Sequence, residues 1–187
     1  METWIVVDEE YLSYLREYDP RVPFSNYGAD KMKPFFGELF SIGDLVYITP
    51  ISHPQARHNK MKNAPDFQKV YAPDKNSAVG DRLIAVVNLK YMIPIPKDMI
   101  TPLVYADIEQ HRTFKTEQDK SKYIDLLKTE LEIIKKSNIV NKASRLYNLK
   151  INYPDNVIAQ RCIDFKLLET KAMLYSDSKF QKLQDDE

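Results

Sequence analysis

Strand-like and helix-like sequence patterns occupy different parts of this chain, and this separation constrains the fold more than any other feature. In the first part, apart from one helix expected over 9–18, short apolar or alternating runs predict extended segments at 4–7, 35–42, 45–51, 67–71, 83–87, 88–95 and 103–105. In the second part, apolar residues recur at helical spacing, namely Ile124, Leu127, Leu131 and Ile134. Strands followed by helices are typical of an α+β domain rather than of alternating βαβ units.

Turn and cap residues indicate where these elements begin and end. Gly43-Asp44 predicts the turn of a β-hairpin. Thr116 and Asp164 stand where side-chain caps are expected, at the start of the long helix and of the last helix. We see neither internal repeats nor a linker, so we expect one domain over 1–176 followed by a polar C-terminal tail over 177–187.

The composition excludes several classes of protein and site. Cys162 is the only cysteine, so neither an intrachain disulfide nor a Cys-rich zinc site can form. No apolar run approaches the roughly 18 residues that a membrane span needs. The acidic opening METWIVVDEE lacks the basic and apolar pattern of a secretory leader, so we expect no secretory signal. With a single cysteine, a reducing cytoplasm is the expected setting. Four glycines cannot build a glycine-rich phosphate loop, and no HExxH zinc motif is present.

Charge is unevenly distributed although the formal net charge is zero. Residues 1–30 are strongly acidic, whereas the next 32 residues contain a basic group made of Lys31, Lys33, His53, Arg57, His58, Lys60 and Lys62. Screening confines electrostatic fields to about 10 Å, so a neutral protein can still bind a polyanion at such a group. A solvated charged surface is the alternative interpretation.

The segment 50–59, PISHPQARHN, has the side chains required for metal-free cleavage of RNA. In that reaction the substrate supplies its own nucleophile, the 2′-hydroxyl, and the protein moves protons and stabilises the charged phosphorane. Histidine exchanges protons near neutral pH, Ser52 can donate to a phosphoryl oxygen, and Lys33 or Arg57 can hold the phosphate. The segment begins a predicted loop over 52–66, and an ordinary polar surface loop remains the alternative.

Several short segments together resemble the toxins of type III toxin–antitoxin systems, the ToxN/AbiQ/CptN group. The opening EEYLSYLREYDPRVP is similar to the first helix of that family, and Lys33 begins KPFFG, which is similar to a strand of the family. PISHPQARHN resembles the family's PL(T/S)SPK segment, and NLKYMIPI and CIDF also resemble family segments. The resemblance extends over about 9–173 in the same order.

This resemblance implies a compact, highly twisted antiparallel sheet flanked by helices, with a core like that of Kid and MazF. It implies a sequence-selective endoribonuclease without a cofactor or metal, leaving 2′,3′-cyclic phosphate and 5′-hydroxyl ends and causing growth arrest in phage defence. The implied partners are a small pseudoknot-forming antitoxin RNA, bound in a closed assembly, and cellular or phage RNA as substrate. Neither a membrane nor a direct protein partner is implied, and the setting is the bacterial cytoplasm.

Transferred residue by residue, the resemblance implies a catalytic set of Tyr27, Lys33, Ser52 and His53. It leaves Lys31, Arg57, His58, Lys60 and Lys62 as RNA-binding residues. The chain departs from the family where a serine becomes His53 and a lysine becomes Gln55, whose lost charge we expect Arg57 to replace. A non-catalytic RNA-binding protein on the same fold and a metal-dependent nuclease are the two rival hypotheses.

Overall fold

The computed structural model describes residues 2–25, 28, 32–73 and 80–185, with side chains to Ser178, so Tyr27 and Lys31 lie outside the described residues. The strands are β1 (Thr3–Val6), β2 (Phe35–Gly37), β3 (Ser41–Ile42), β4 (Leu45–Ser52), β5 (Gln68–Ala72), β6 (Arg82–Val87), β7 (Ile93–Pro96) and β8 (Thr101–Pro102). The helices are α1 (Glu9–Arg16), α2 (Ala56–Lys60), α3 (Glu117–Lys136), α4 (Ile139–Asn152), α5 (Val157–Arg161) and α6 (Phe165–Asp185). Short 3₁₀ helices form at Leu89–Tyr91, Lys97–Met99 and Tyr105–Gln110.

β4 is the central strand of one sheet in which every described pairing is antiparallel. Its first half pairs with β3 and β7, and its second half pairs with β2 and β6. The run LVYITPIS is buried along most of its length, as expected for a strand covered on both faces. The α+β class with an antiparallel sheet is therefore confirmed.

Long-range hydrogen bonds attach the helical half of the chain to this sheet. The indole nitrogen of Trp4 in β1 donates to the Leu127 carbonyl in α3 at 2.9 Å, and the Tyr11 hydroxyl of α1 donates to the Pro94 carbonyl at 2.7 Å. Both Tyr47 of β4 and Tyr147 of α4 donate to one carboxylate oxygen of Glu169 in α6. The bond from Trp4 holds α3 beside the sheet, and the bonds to Pro94 and Glu169 attach α1 and α6 to it.

The predicted turn and caps agree with the structure. Gly43 adopts a φ of 57° in the turn between β3 and β4, a conformation that favours glycine. The Thr116 hydroxyl accepts a hydrogen bond from the Asp119 amide at 3.1 Å, and the Asp164 carboxylate accepts one from the Leu167 amide at 3.1 Å. No helix within the described ranges combines the length and apolar character needed to cross a bilayer.

Four predicted segments differ from the structure. The loop over 52–66 contains α2, because the side chain of His58 caps the start of that helix. The strand over 103–105 is wrong, since the chain turns there into the 3₁₀ helix Tyr105–Gln110. The segment 88–95 begins with a 3₁₀ helix instead of being extended throughout. Finally, α6 continues to Asp185, so the segment predicted as a tail from 177 is helical to that residue.

Candidate active site

A cleft of about 1210 Å³ opens where β4 ends and α3 passes beside the sheet. One wall is formed by the segment 52–55 and by Arg57 of α2. Lys33 precedes β2 at the same end of the sheet, and Glu130 faces the cleft from α3. The structure thus brings Lys33, Ser52, His53 and Arg57 to one cleft, whereas Lys60 and Lys62 do not line it.

Ser52 is the last residue of β4, and its hydroxyl is oriented by a neighbouring amide. Asn88, which directly follows β6, donates its Nδ2 hydrogen to Ser52 Oγ at 3.2 Å. The backbone of Asn88 is itself bonded to β4. Its backbone N–H donates to the Pro50 carbonyl at 3.4 Å, and its backbone carbonyl accepts from the Thr49 hydroxyl at 3.3 Å. Since Ser52 Oγ already accepts a hydrogen bond, its own hydrogen is available for donation into the cleft.

His53 is exposed at the mouth of the cleft, directly after β4. Partial burial lowers the pKa of its imidazole, and the positive charges of Lys33 and Arg112 lower it further. At neutral pH the imidazole is therefore uncharged, with one ring nitrogen free to accept a proton.

Lys33 and Glu130 are both partly or fully buried in the cleft, and each favours the charged form of the other. Burial lowers the pKa of the Lys33 ammonium, Arg112 lowers it further, and Glu130 counteracts this shift. Glu130 is only 6% exposed, and burial raises its pKa to about 8 although Lys33 favours its charged form. The carboxyl group is therefore mostly protonated at neutral pH.

His58 differs from the other predicted residues because it is buried, with 5% of its surface exposed. Its Nδ1 accepts a hydrogen bond from the Gln55 amide at 3.0 Å, and its ring lies 5.6 Å from that of Phe67, centroid to centroid. With Nδ1 accepting, the neutral ring carries its hydrogen on Nε2. The 3.4 Å contact between Nε2 and the Nε of Arg57 then joins two donors and is not a hydrogen bond. This geometry gives His58 a structural position at the start of α2.

Asn88, Arg112 and Glu130 line the cleft but were missed in the sequence. Glu130 had a detectable signal, because it occupies the buried face of α3 together with Leu127 and Ile134. A charged residue in an apolar stripe requires an explanation. Arg112 had no comparable signal, since no periodic pattern surrounds it.

The cleft contains the groups required for acid–base chemistry on a phosphate ester. His53 offers an uncharged imidazole, Ser52 a hydroxyl hydrogen and Lys33 a cation, while Glu130 provides a proton-bearing carboxyl. Within the described ranges, no group of three or more His, Cys, Asp and Glu side chains is placed to hold a metal ion.

Comparison with known protein families shows which family this chain belongs to. The sequence model described as "Toxin ToxN, type III toxin-antitoxin system" matches residues 3–173. The chain belongs to the ToxN toxin family. That match includes every described residue that lines the cleft.

Two curated relatives of the ToxN family align over most of their length. The chain is 27% identical to endoribonuclease AbiQ of Lactococcus lactis subsp. lactis over 92% of this chain and 88% of the relative. It is 26% identical to endoribonuclease ToxN of Bacillus thuringiensis subsp. kurstaki over 96% of this chain and 87% of the relative.

Two solved structures share the ToxN fold seen here. One, described as showing selective toxin inhibition by a non-coding RNA pseudoknot, has a TM-score of 0.72 and 24% identity, covering 94% of this chain and 98% of the other. The other, AbiQ, described as a lactococcal anti-phage endoribonuclease, also has a TM-score of 0.72, with 22% identity and coverage of 95% and 99%.

Proposed function

We propose that this protein is a metal-independent endoribonuclease toxin that cuts single-stranded RNA at selected sequences. The observation that carries the proposal is the convergence of Lys33, Ser52 and His53 on one cleft in a member of the ToxN toxin family. Relatives of similar length are named endoribonucleases, which supports the same reaction for this chain.

In the proposed reaction, the 2′-hydroxyl of the RNA attacks the adjacent phosphorus atom. His53 accepts the proton of that hydroxyl, because its lowered pKa keeps the imidazole uncharged. Lys33 neutralises the phosphate, and the Ser52 hydrogen stabilises the negative charge that develops on a phosphoryl oxygen.

Breaking the bond from phosphorus to the 5′-oxygen leaves a 2′,3′-cyclic phosphate. The leaving oxygen takes a proton and becomes a 5′-hydroxyl. Lys33 and Glu130 are the candidates for this donation, since both bear protons in the cleft at neutral pH. His58 has a structural role in this scheme, because its Nδ1 accepts the hydrogen bond of the Gln55 amide at the start of α2. Catalysis by Tyr27 stays a prediction.

The RNA chain is proposed to continue along the basic surface beyond the cleft. Arg57 at the wall of the cleft, and Lys60 and Lys62 beyond it, are exposed and bind the sugar–phosphate backbone without taking part in the chemistry. Lys31 belongs to the same proposed surface, although it lies outside the described residues.

The partner that we propose is a small repeat RNA that folds as a pseudoknot and inhibits the toxin in a closed protein–RNA assembly. A structure with the same fold, described as showing selective toxin inhibition by a non-coding RNA pseudoknot, supports this proposal. The substrates would be cellular and phage RNAs in the bacterial cytoplasm, with growth arrest as the result. We further infer a sheet core of the highly twisted type found in Kid and MazF.

The test is to incubate purified, RNA-free protein with a mixed-sequence RNA in the presence of excess chelator and to analyse the ends produced. We expect 2′,3′-cyclic phosphate and 5′-hydroxyl ends. Binding without cleavage would instead favour the rival hypothesis of a non-catalytic RNA-binding protein. Cleavage that appears only when divalent metal is restored would indicate a metal-dependent nuclease.

A further inference from the structure

Arg112 enters the cleft from a segment that sequence patterns do not connect with the site. It follows the 3₁₀ helix Tyr105–Gln110, and its amide donates to the Ile108 carbonyl at 3.0 Å. Its side chain reaches the cleft in which Lys33 and His53 lie. The position of this guanidinium is therefore set by tertiary packing.

Two contacts hold the guanidinium of Arg112 in a defined orientation. Its central carbon lies 4.0 Å from the centroid of the Tyr123 ring on α3, a cation–π stacking geometry. Its Nη1 donates to the Met32 carbonyl at 3.4 Å, and the Tyr123 hydroxyl donates to the same carbonyl at 3.0 Å. Because Met32 directly precedes Lys33, these contacts tie Arg112 to the segment that carries the predicted phosphate-binding lysine.

The guanidinium of Arg112 has hydrogen-bonding capacity that the described residues do not use. An arginine offers five N–H hydrogens, of which the bond to the Met32 carbonyl uses one and a bond to the Tyr123 hydroxyl uses another. Its Nε is buried and has no hydrogen-bond acceptor among the described residues. A buried donor without an acceptor is unfavourable, so its persistence requires an explanation. A ligand that accepts hydrogen bonds would provide one.

The electrostatics of the cleft favour a ligand with negative charge. The charge of Arg112 lowers the pKa of both Lys33 and His53, so the guanidinium lies within electrostatic reach of both groups. Among the described residues, Arg112 takes part in no ion pair. Glu130, the carboxyl in the same cleft, is mostly protonated at neutral pH. Arg112 and Lys33 thus both contribute positive charge to the cleft.

We propose that Arg112 is a further phosphate-binding residue, whose guanidinium contacts a nonbridging oxygen of the scissile phosphodiester beside Lys33. The planar, oriented N–H groups of a guanidinium bind phosphate oxygens with better geometry than the flexible ammonium of a lysine does. The proposal rests on the RNA-cleaving function proposed above. It assigns to Arg112 the second positive charge that the sequence had suggested for Arg57, which is exposed on α2.

The first test compares single-turnover RNA cleavage by the wild type with cleavage by Arg112→Gln and Arg112→Lys. Arg145 on α4 is exposed and lies outside the cleft, so Arg145→Gln is the matched control. We expect Arg112→Gln to slow cleavage by about 10²–10³-fold, as when one donor to a transition-state oxyanion is removed. The cleavage rate of Arg112→Lys should lie between those of the wild type and Arg112→Gln, because lysine keeps the positive charge but lacks the planar set of N–H donors.

The second test uses inorganic phosphate as the probe and does not depend on RNA cleavage. Thermal unfolding is followed with increasing phosphate at constant ionic strength. Phosphate should raise the Tm of the wild type and of Arg145→Gln, and it should raise that of Arg112→Gln much less. A merely structural role would lower the Tm in both the presence and the absence of phosphate by the same amount.

The outcomes separate the two proposals. If Arg112→Gln cleaves RNA within about threefold of the wild type and gains the same Tm from phosphate, the role of Arg112 is wrong. If the wild type does not cleave RNA but its phosphate response depends on Arg112, the anion site stands and the proposed function fails. If Arg112→Gln does not fold, Arg112→Lys decides by the same two measurements.

Discussion

Residues 52–53, at the end of β4, and helix α2 lie close together in the chain, yet the structure gives them different tasks. Each of the two regions contains a histidine, and both lie in one predicted loop. His53 is at the mouth of the cleft near Lys33 and Arg112, and its pKa is lowered by partial burial and by those charges. His58 is buried, and its Nδ1 accepts the hydrogen bond that starts α2.

This difference shows that the role of a histidine depends on its surroundings more than on the local motif. Burial lowers the pKa of His58 too, with help from Arg57 and Lys69, so the direction of the pKa shift does not distinguish the two residues. What distinguishes them is whether a ring nitrogen is free. The predictions below test this division between a reactive strand end and a structural helix start.

The largest effect is expected for His53→Ala. Loss of a general base typically slows the chemical step by about 10²–10⁴-fold, and we expect that loss in single-turnover RNA cleavage. In the wild type the rate should fall as the pH decreases below about 6.5, because protonation removes the accepting nitrogen and the pKa of His53 lies below its usual value. Cleavage by His53→Ala at the wild-type rate would exclude His53 as the base.

The next largest effect is a change in pH-dependent stability for Glu130→Gln, which removes the buried carboxyl group from the cleft at the end of β4. The pKa of Glu130 is raised from 4.5 to about 8, so the folded state binds more protons than the unfolded state between these values. The free energy of unfolding therefore decreases as the pH rises through this window, by roughly 4 kcal/mol.

The glutamine variant cannot ionise and should lack this decrease. Urea unfolding at pH 5, 7 and 9 measures it, and Glu132→Gln, on the exposed face of the same helix, is the control. Parallel stability curves for Glu130→Gln and the wild type would show that Glu130 is already charged in the folded state.

A smaller effect is expected when the amide that orients Ser52 is removed. Asn88→Ala deletes the donor that lies 3.2 Å from Ser52 Oγ and should lower kcat about tenfold, with little change in KM, because substrate binding does not use this bond. Ser52→Ala in the Asn88→Ala background should then cost less than Ser52→Ala alone, since coupled residues are not additive. Fully additive effects would show that Asn88 acts independently of Ser52.

The sequence was sufficient to predict the strand regions and the helix caps, because these depend on local patterns. The hairpin turn at Gly43 and the caps at Thr116 and Asp164 are examples. The end of β4 was also found, since Ser52 and His53 stand where an apolar strand opens into polar residues.

The composition of the cleft was only partly predictable, because α3 and the segment before it reach the site through tertiary packing. Glu130 is brought there by the bond between Trp4 and Leu127, which joins residues 123 positions apart. Arg112 is placed by Tyr123 and Met32, and no local pattern could show these contacts. The buried position of His58 depends likewise on Phe67, which lies beyond the end of α2.

The smallest effect on catalysis is expected for His58→Ala, which tests the structural half of the comparison. The variant loses the acceptor for the Gln55 amide and should lower the free energy of unfolding by about 1 kcal/mol, the usual cost of a lost cap. The lowered pKa of His58 means that the wild type also loses stability as the pH falls below about 6.5, and the variant should lose less.

Since α2 carries Arg57 but none of the proposed proton-transfer groups, single-turnover cleavage by His58→Ala should stay within about threefold of the wild type at a temperature where both are folded. A loss as large as that of His53→Ala would mean that the two histidines act together and that the division drawn between the strand end and the helix does not hold.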